Sequence, residues 1–191
     1  MILSDIEIRQ ALRDRKIEIT PPPIPEQFGS TTLDLRLGNE FKQWDPAIVG
    51  QRGVTQVIDF LSFDYAAFAK DFQVDVPQEL DGSFILKKDA FILAKTLEKI
   101  HLKKTSNIAA RIEGRSTTAR LGFTIHITAP TIHCGYVGDI TLEIKNFGPF
   151  DVKLRPGDQI CQLIFERTSK TPQRLNSSVF QIKDAKSPKR R

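Results

Sequence analysis

The chain has 191 residues, 40% of them hydrophobic and 27% charged, a composition typical of a single folded domain of about 100–200 residues. No stretch approaches the roughly 20 apolar residues of a membrane span, and the first ten residues, MILSDIEIRQ, lack the basic and apolar regions of a secretory signal. We therefore expect a cytoplasmic protein without a membrane partner.

The net charge of +5 comes mainly from the last nine residues. The segment KDAKSPKRR at 183–191 carries five basic residues and one acid, so the remaining chain is nearly neutral. No aromatic residue is interleaved with these charges to stack on bases. The sequence predicts one domain over residues 1–182, a mobile basic tail over 183–191, and no nucleic-acid partner.

The first element is a helix with a capping box, formed by Ser4 and Glu7. Leu3 and Ile8 are spaced to form a hydrophobic staple, and we expect the helix to end near residues 14–16. The prolines of PPPIP at 21–25 remove backbone donors and disfavour helix, so an extended linker or arm follows.

From residue 31 onward the hydrophobic period is mostly two, which indicates strands. Turn signals such as Asp-Gly at 81–82 and Pro-Gly-Asp at 156–158 separate them. Many short strands predict an all-β barrel, sandwich or jelly roll, while residues 40–80 show no stable period and read as an irregular excursion. The strand-like stretches are TTLDLRLG (31–38), FTIHIT (123–128), DITLEIK (139–145) and QICQLIFE (159–166).

Several catalytic motifs are absent from the sequence. The chain has three histidines and no C-x-x-C pattern, so the zinc-activated water of common deaminases is not expected. No phosphate-binding G-x-x-x-x-G-K-[ST] loop or G-x-S-x-G nucleophile motif occurs. The two cysteines, Cys134 and Cys161, are expected to be free thiols.

The loop GRSTTARLG at 114–122 is the main candidate for a functional site. Arginines that leave water are costly unless an anion meets them, so Arg115 and Arg120 suggest an anionic ligand. Strand alternation places Glu143 opposite the apolar residues of DITLEIK, facing either solvent or a site. Alternation alone favours a solvated acid, and Ser116 can be read simply as a turn residue.

Five blocks of the sequence resemble the deoxycytidine triphosphate deaminase branch of the dUTPase-like superfamily. They are ILSDIEIRQAL with TLDLRLGNEF, GRSTTARLG, the H-x-T-A segment at 126–129, GYVGDITLE, and RPGDQICQLIFE. The resemblance implies a mainly β subunit, a distorted β-barrel or jelly roll of the β-clip type with a short N-terminal helix. It also implies a homotrimer that binds dCTP or dUTP between subunits, with Mg²⁺ held by the triphosphate and no zinc.

The resemblance also implies roles for individual residues. Glu143 matches the catalytic base, Ser116 and Arg120 match positions that organise the water and the base, and the Ala129 carbonyl holds the attacking water. Gln181 and Lys183 would belong to a closing tail. The implied nucleotide contacts are Arg115, Ser116, Thr117, Thr118, Ala119, Arg120, Ala129, His133, Thr141, Leu142, Glu143, Gln162, Gln181 and Lys183.

The sequence departs from the family pattern at His133 in IHCG, where an aspartate is usual. That aspartate meets the sugar hydroxyl and, in dUTPase chemistry, orients water for phosphate hydrolysis. A neutral imidazole can bond a hydroxyl but is a poorer partner near Mg²⁺. A harmless turn substitution and a change in chemistry both remain open.

The expected function is deamination of dCTP to dUTP and ammonia, which supplies dUTP and dUMP for thymidylate synthesis. One alternative is a coupled enzyme that forms dUMP and diphosphate, against which His133 counts mildly. A dUTP hydrolase is disfavoured by Glu143 and by the absence of a glycine-rich C-terminal motif. Another alternative is a homologue that binds nucleotides without turnover.

Overall fold

The first helix begins at the capping box that the sequence predicts. A computed structural model describes residues 1–49 and 57–173. In it the Ser4 amide donates to Glu7 Oε2 at 3.0 Å, and the Glu7 amide donates to Ser4 Oγ at 3.4 Å. Helix α1 (Asp5–Arg13) buries Ile8 and Ala11 and ends at its cap residue, Asp14, as expected.

Strands dominate the described residues, which confirms the mainly β prediction. The helices after α1 are α2 (Pro46–Val49), α3 (Tyr65–Phe72) and α4 (Ser116–Leu121), with 3₁₀ turns at Pro25–Gln27 and Lys104–Ser106. The strands are β1 (Ile17–Thr20), β2 (Leu33–Trp44), β3 (Gln73–Asp75), β4 (Phe84–Leu86), β5 (Phe91–Leu102), β6 (Ile108–Gly114), β7 (Phe123–Thr124), β8 (Thr131–Ile132), β9 (Val137–Asn146), β10 (Val152–Leu154) and β11 (Gln159–Arg167).

Nine strands form one antiparallel sheet that curls into a half-barrel. Its order is β7-β9-β5-β2-β11-β6-β8, with β1 paired to β5 and β3 to β2, while β10 pairs with β4 separately. The register shifts between Leu37 and Phe41 in β2 and between Lys95 and Lys99 in β5. Irregularities of this kind bend strands and increase their twist, which favours curling.

The core lies on the inner face of this curled sheet. The alternating residues Leu33, Leu35 and Leu37 are fully buried, as are Leu142 and Ile144 on β9. The period-two prediction is therefore confirmed for both strands. The same alternation leaves Asp34 on β2 and Glu143 on β9 outside the core.

Three sequence predictions differ from the structure. FTIHIT was expected to be a strand throughout, but only Phe123–Thr124 is, because the chain then leaves β9 and crosses towards β6. Strand β5 was not predicted, because the polar residues Thr96 and Glu98 occupy two of its buried positions and so interrupt the apolar alternation in the sequence. Residues 40–80 were expected to be irregular, but their described part contains the end of β2 at Trp44 and helix α3.

Some predictions lie outside the described residues, namely Gln181, Lys183 and the tail at 183–191. The boundary between domain and tail thus stays a prediction. Both cysteines are free and buried, as expected. No helix in the described part of the chain combines the length and apolar character needed to cross a membrane.

Candidate active site

Strands β7 and β8 are the first and last in the strand order of the sheet. Residues 125–130, which we call the closing segment, join these two strands. His126 Nε2 lies 3.6 Å from Glu113 Oε2 on β6. The next residue, Ile127, donates its amide to Glu143 Oε2 on β9 at 3.3 Å. Since adjacent residues contact both strands, the closing segment brings the end of β6 close to Glu143.

Glu143 is half-buried on the outer face of the sheet, opposite Leu93 of β5. Its Oε2 accepts from Ile127, whereas no hydrogen bond to its Oε1 occurs within residues 1–49 and 57–173. Ala129 lies two residues beyond Ile127 and is exposed. A carboxylate held on one oxygen and open on the other can accept a proton from a bound water.

Arg115 lies at the junction between β6 and α4, where it is the N-cap residue. Its guanidinium reaches across to the neighbouring strands: Nη1 donates to the Gln159 carbonyl at 3.0 Å, and Nη2 lies 3.3 Å from Asp34 Oδ2. The Thr118 hydroxyl donates to the Arg115 carbonyl at 2.7 Å and holds the first turn of α4. The candidate phosphate-binding arginine is thus anchored on β11 and β2.

A row of polar residues crosses β6, β11 and β2 beside Arg115. Gln162 lies opposite Glu113 on one side and Asp34 on the other. Its Nε2 donates to the Gly114 carbonyl at 3.3 Å. Burial raises the pKa of Asp34, and the Arg115 guanidinium partly opposes this shift. The row supports the junction from which Arg115 projects.

The described site residues predicted from sequence fall into three groups by exposure, and the half-buried group is Arg115, Glu143 and Gln162. Leu142 is fully buried in the core, so only its backbone is available to a ligand, and Thr118 is also buried. No described hydrogen bond or ion pair joins Glu143 to Ser116 or Arg120. The exposed members are Ser116, Thr117, Ala119, Arg120, Ala129, His133 and Thr141.

Two residues of the site were not identified as such from sequence. Asp34 is outward-facing in TTLDLRLG, but nothing in the pattern pairs it with Arg115, which is 81 positions away. His126 stands out in the sequence only as part of the H-x-T-A block, yet its Nε2 lies 3.6 Å from Glu113 Oε2. Its Nδ1 is buried and has no hydrogen-bond partner among the described residues. The strand order β2-β11-β6 brings Asp34 to Arg115, and the course of the closing segment brings His126 to Glu113.

Comparisons with known proteins agree on one family. A family model described as dCTP deaminase-like matches residues 2–168. A protein of Methanosphaera stadtmanae named "dCTP deaminase, dUMP-forming" is 38% identical over 167 residues, 86% of this chain and 78% of that protein. A protein of Rhodospirillum rubrum named "dCTP deaminase" is 34% identical over 166 residues, 87% of this chain and 82% of that protein.

The fold is also similar to a solved structure, the crystal structure of 2′-deoxycytidine 5′-triphosphate deaminase from Agrobacterium tumefaciens. The TM-score is 0.62 with 22% sequence identity, and the match covers 87% of this chain. It spans 48% of the other chain, so about half of that structure has a counterpart here. At this identity the similarity is one of fold.

Proposed function

The chain belongs to the dCTP deaminase-like family, and from this premise we propose that it deaminates dCTP hydrolytically to dUTP and ammonia. The observation that carries the proposal is the position of Glu143. Its carboxylate is half-buried and oriented through one oxygen by the Ile127 amide. A single carboxylate placed in this way can act first as a base and then as an acid.

In the proposed reaction Glu143 removes a proton from water as the water oxygen bonds to C4 of the cytosine ring. The C4–N3 π electrons move to N3, which takes this proton from Glu143. Glu143 then takes the proton of the new C4 hydroxyl and passes it to the exocyclic nitrogen, so that the bond from C4 to this nitrogen breaks, ammonia leaves and C4 becomes a carbonyl carbon. The Ala129 carbonyl accepts a hydrogen bond from the attacking water. The Ile127 amide fixes the carboxylate, so that its free oxygen faces the reacting atom.

The triphosphate is proposed to lie at the β6–α4 junction. Arg115 supplies a planar guanidinium suited to phosphate oxygens, and the exposed Ser116 and Arg120 lie on the same short helix. These residues come from the loop whose composition first suggested an anionic ligand. Thr117 and Ala119 would contribute backbone contacts.

We propose that Mg²⁺ arrives bound to the nucleotide. The described residues contain no group of three or more His, Cys, Asp or Glu side chains that could hold a metal ion. Mg²⁺ commonly keeps several waters and binds through substrate phosphates, so it needs no such group. Bound in this way it would neutralise phosphate charge, while Arg115 and Ser116 hold the remaining oxygens.

We also propose that the site is completed in a homotrimer. In one chain the side chain of Ile127, which lies next to the half-buried Glu143, is 52% exposed, so this surface is not covered. Excluding water strengthens the electrostatic interactions on which acid–base catalysis depends. A neighbouring copy packed over this region would close the site, in agreement with a family in which nucleotides bind between subunits.

A second candidate is the coupled reaction that forms dUMP and diphosphate. Relatives named "dCTP deaminase, dUMP-forming" are 38–39% identical to this chain. His133 stands where the family aspartate would orient water for phosphate cleavage, and it is exposed. The names of these relatives favour the coupled reaction for this chain. The absence of the aspartate at position 133 favours simple deamination.

Product analysis tests the proposal. Purified protein is incubated with dCTP and Mg²⁺, the nucleotides are separated by anion exchange, and ammonia is measured in the same tube. Ammonia with accumulating dUTP supports simple deamination, and ammonia with dUMP supports the coupled reaction. A parallel incubation with dUTP shows whether phosphate cleavage proceeds independently. Nucleotide binding without ammonia would contradict both and leave a non-catalytic binding protein.

A further inference from the structure

Asp34 on β2 is the carboxylate that contacts the candidate phosphate-binding arginine. We propose that Asp34 is a positioning residue for the nucleotide triphosphate, which it serves by holding the Arg115 guanidinium in its binding orientation. The proposal rests on the proposed function, because it takes the β6–α4 junction to be the triphosphate site. Nothing in the sequence pattern or in the implied family contacts assigns this role to Asp34.

The contact between Asp34 and Arg115 is close and sheltered. Asp34 Oδ2 lies 3.3 Å from Arg115 Nη2, and the Asp34 side chain is 15% exposed. Within the described parts of the chain Arg115 is the sole side-chain partner of this carboxylate. Burial raises the pKa of Asp34, because a charged carboxylate is less stable away from water. A sheltered carboxylate also attracts a nearby cation more strongly than a solvated carboxylate does.

Asp34 is itself held in place by a buried network. The Asp34 carbonyl accepts from Gln27 Nε2 at 2.7 Å, and the same amide nitrogen donates to Glu98 Oε1 at 3.0 Å. Gln27 and Glu98 are both fully buried. Glu98 also accepts from the Arg36 amide at 2.8 Å and from Arg36 Nε at 2.7 Å. The backbone that follows Asp34 is therefore fixed.

Arg115 retains binding capacity in this arrangement. Its contacts with Gln159 and Asp34 each involve one terminal nitrogen, and a guanidinium has further N–H donors. The side chain is 34% exposed, so these donors can reach a ligand. A long arginine side chain loses conformational entropy when it binds a ligand, and this loss weakens binding. If other contacts already hold the side chain, less entropy is lost on binding. Asp34 thus prepares Arg115 before phosphate arrives.

The test compares Asp34→Asn with the unchanged protein in direct binding. Calorimetry is carried out with inorganic triphosphate without Mg²⁺, and with dCTP in the presence of Mg²⁺. We expect Kd to rise about tenfold for both ligands, as is typical when a charged partner of a binding arginine is lost. Turnover at saturating dCTP should change little, because the lost interaction is equal in ground state and transition state.

A double-mutant cycle separates positioning from general destabilisation. In an Arg115→Lys background Asp34→Asn should have a much smaller effect on triphosphate binding, since lysine cannot keep both contacts of the guanidinium. Asp139→Asn is the matched control. It removes a half-buried carboxylate that lies 3.6 Å from Lys95, away from Arg115, and it should leave triphosphate affinity unchanged.

Three outcomes would overturn the proposal. Tighter triphosphate binding by Asp34→Asn would mean that Asp34 competes with phosphate for Arg115. An effect seen only with Mg²⁺ would mean that Asp34 acts on the cation. An equal effect in both Arg115 backgrounds, with a lowered Tm, would mean a purely structural role. If the unchanged protein binds triphosphate but releases no ammonia, only the proposed deaminase function is contradicted. If the unchanged protein does not bind triphosphate, both the function and the role of Asp34 are contradicted.

Discussion

Glu143 combines partial burial with a single oriented oxygen, and this combination distinguishes it from an ordinary acid on an exposed strand face. Strand alternation alone made solvent exposure the simpler interpretation. The bond from Ile127 shows instead that another segment of the chain packs beside its carboxylate. A substitution that keeps the size and shape of the Glu143 side chain tests its chemical role without disturbing this packing.

Glu143→Gln should abolish ammonia release while dCTP affinity changes by less than about threefold, because the amide keeps the size of the side chain but cannot accept the proton. Ammonia release and calorimetric dCTP binding are the two measurements. The control is Glu40→Gln, which replaces an exposed carboxylate that pairs with Lys95 and should retain activity. Turnover by Glu143→Gln would remove Glu143 from the catalytic role.

His133→Asp tests the departure from the family pattern. Restoring a carboxylate near the nucleotide should increase the share of dUMP among the products, because an acid can orient water for attack on phosphate and imidazole is a poorer partner for it. Anion-exchange analysis after complete deamination of dCTP gives the ratio of dUMP to dUTP. An unchanged ratio would make His133 a neutral turn substitution.

Strand β5 shows why an element can be missed although its alternation is regular. Glu98 takes a core-side position and is fully buried, which breaks the apolar pattern in the sequence. Its charge is accommodated because Arg36 supplies both an amide and a guanidinium donor. Buried acids persist only with such partners, and these partners come from another strand.

Glu98→Ala should lower the free energy of unfolding by about 3 kcal/mol, since it leaves the Arg36 amide and guanidinium without their shared acceptor and removes one of the two acceptors of Gln27. Urea denaturation followed by circular dichroism measures the change. Asp75→Ala is the matched control: it removes the exposed partner of Lys42 and should have little effect. Similar stabilities of the two variants would show that the network around Glu98 contributes little to the fold.

For the whole molecule, the curled sheet and closing segment place the candidate base and the candidate phosphate loop in one region but leave that region open to water. A homotrimer would cover it. We expect light scattering to give the mass of three chains, and activity per chain to fall on dilution as the trimer dissociates. A fully active single chain at the lowest concentration would contradict the proposal that subunits complete the site.

The local features of this protein follow from its sequence alone. Capping chemistry specified the start of α1, alternation specified β9 and the first half of β2, and an apolar run specified β11. All three signals depend on residues close together in the chain. Motif resemblance indicated the family and drew attention to Glu143 and the loop at 114–122. Free cysteines and mainly β architecture followed from composition and period.

Contacts between distant segments depend on how the whole sheet folds and packs. FTIHIT has a strand pattern, yet most of it crosses from β9 to β6, since the ends of a curled sheet must be joined. Asp34 meets Arg115, and Glu98 meets Arg36, through strand neighbours that alternation cannot specify. Periodicity records which face of a strand a residue occupies, whereas its partner depends on strand order and register, which are set by packing of the whole sheet.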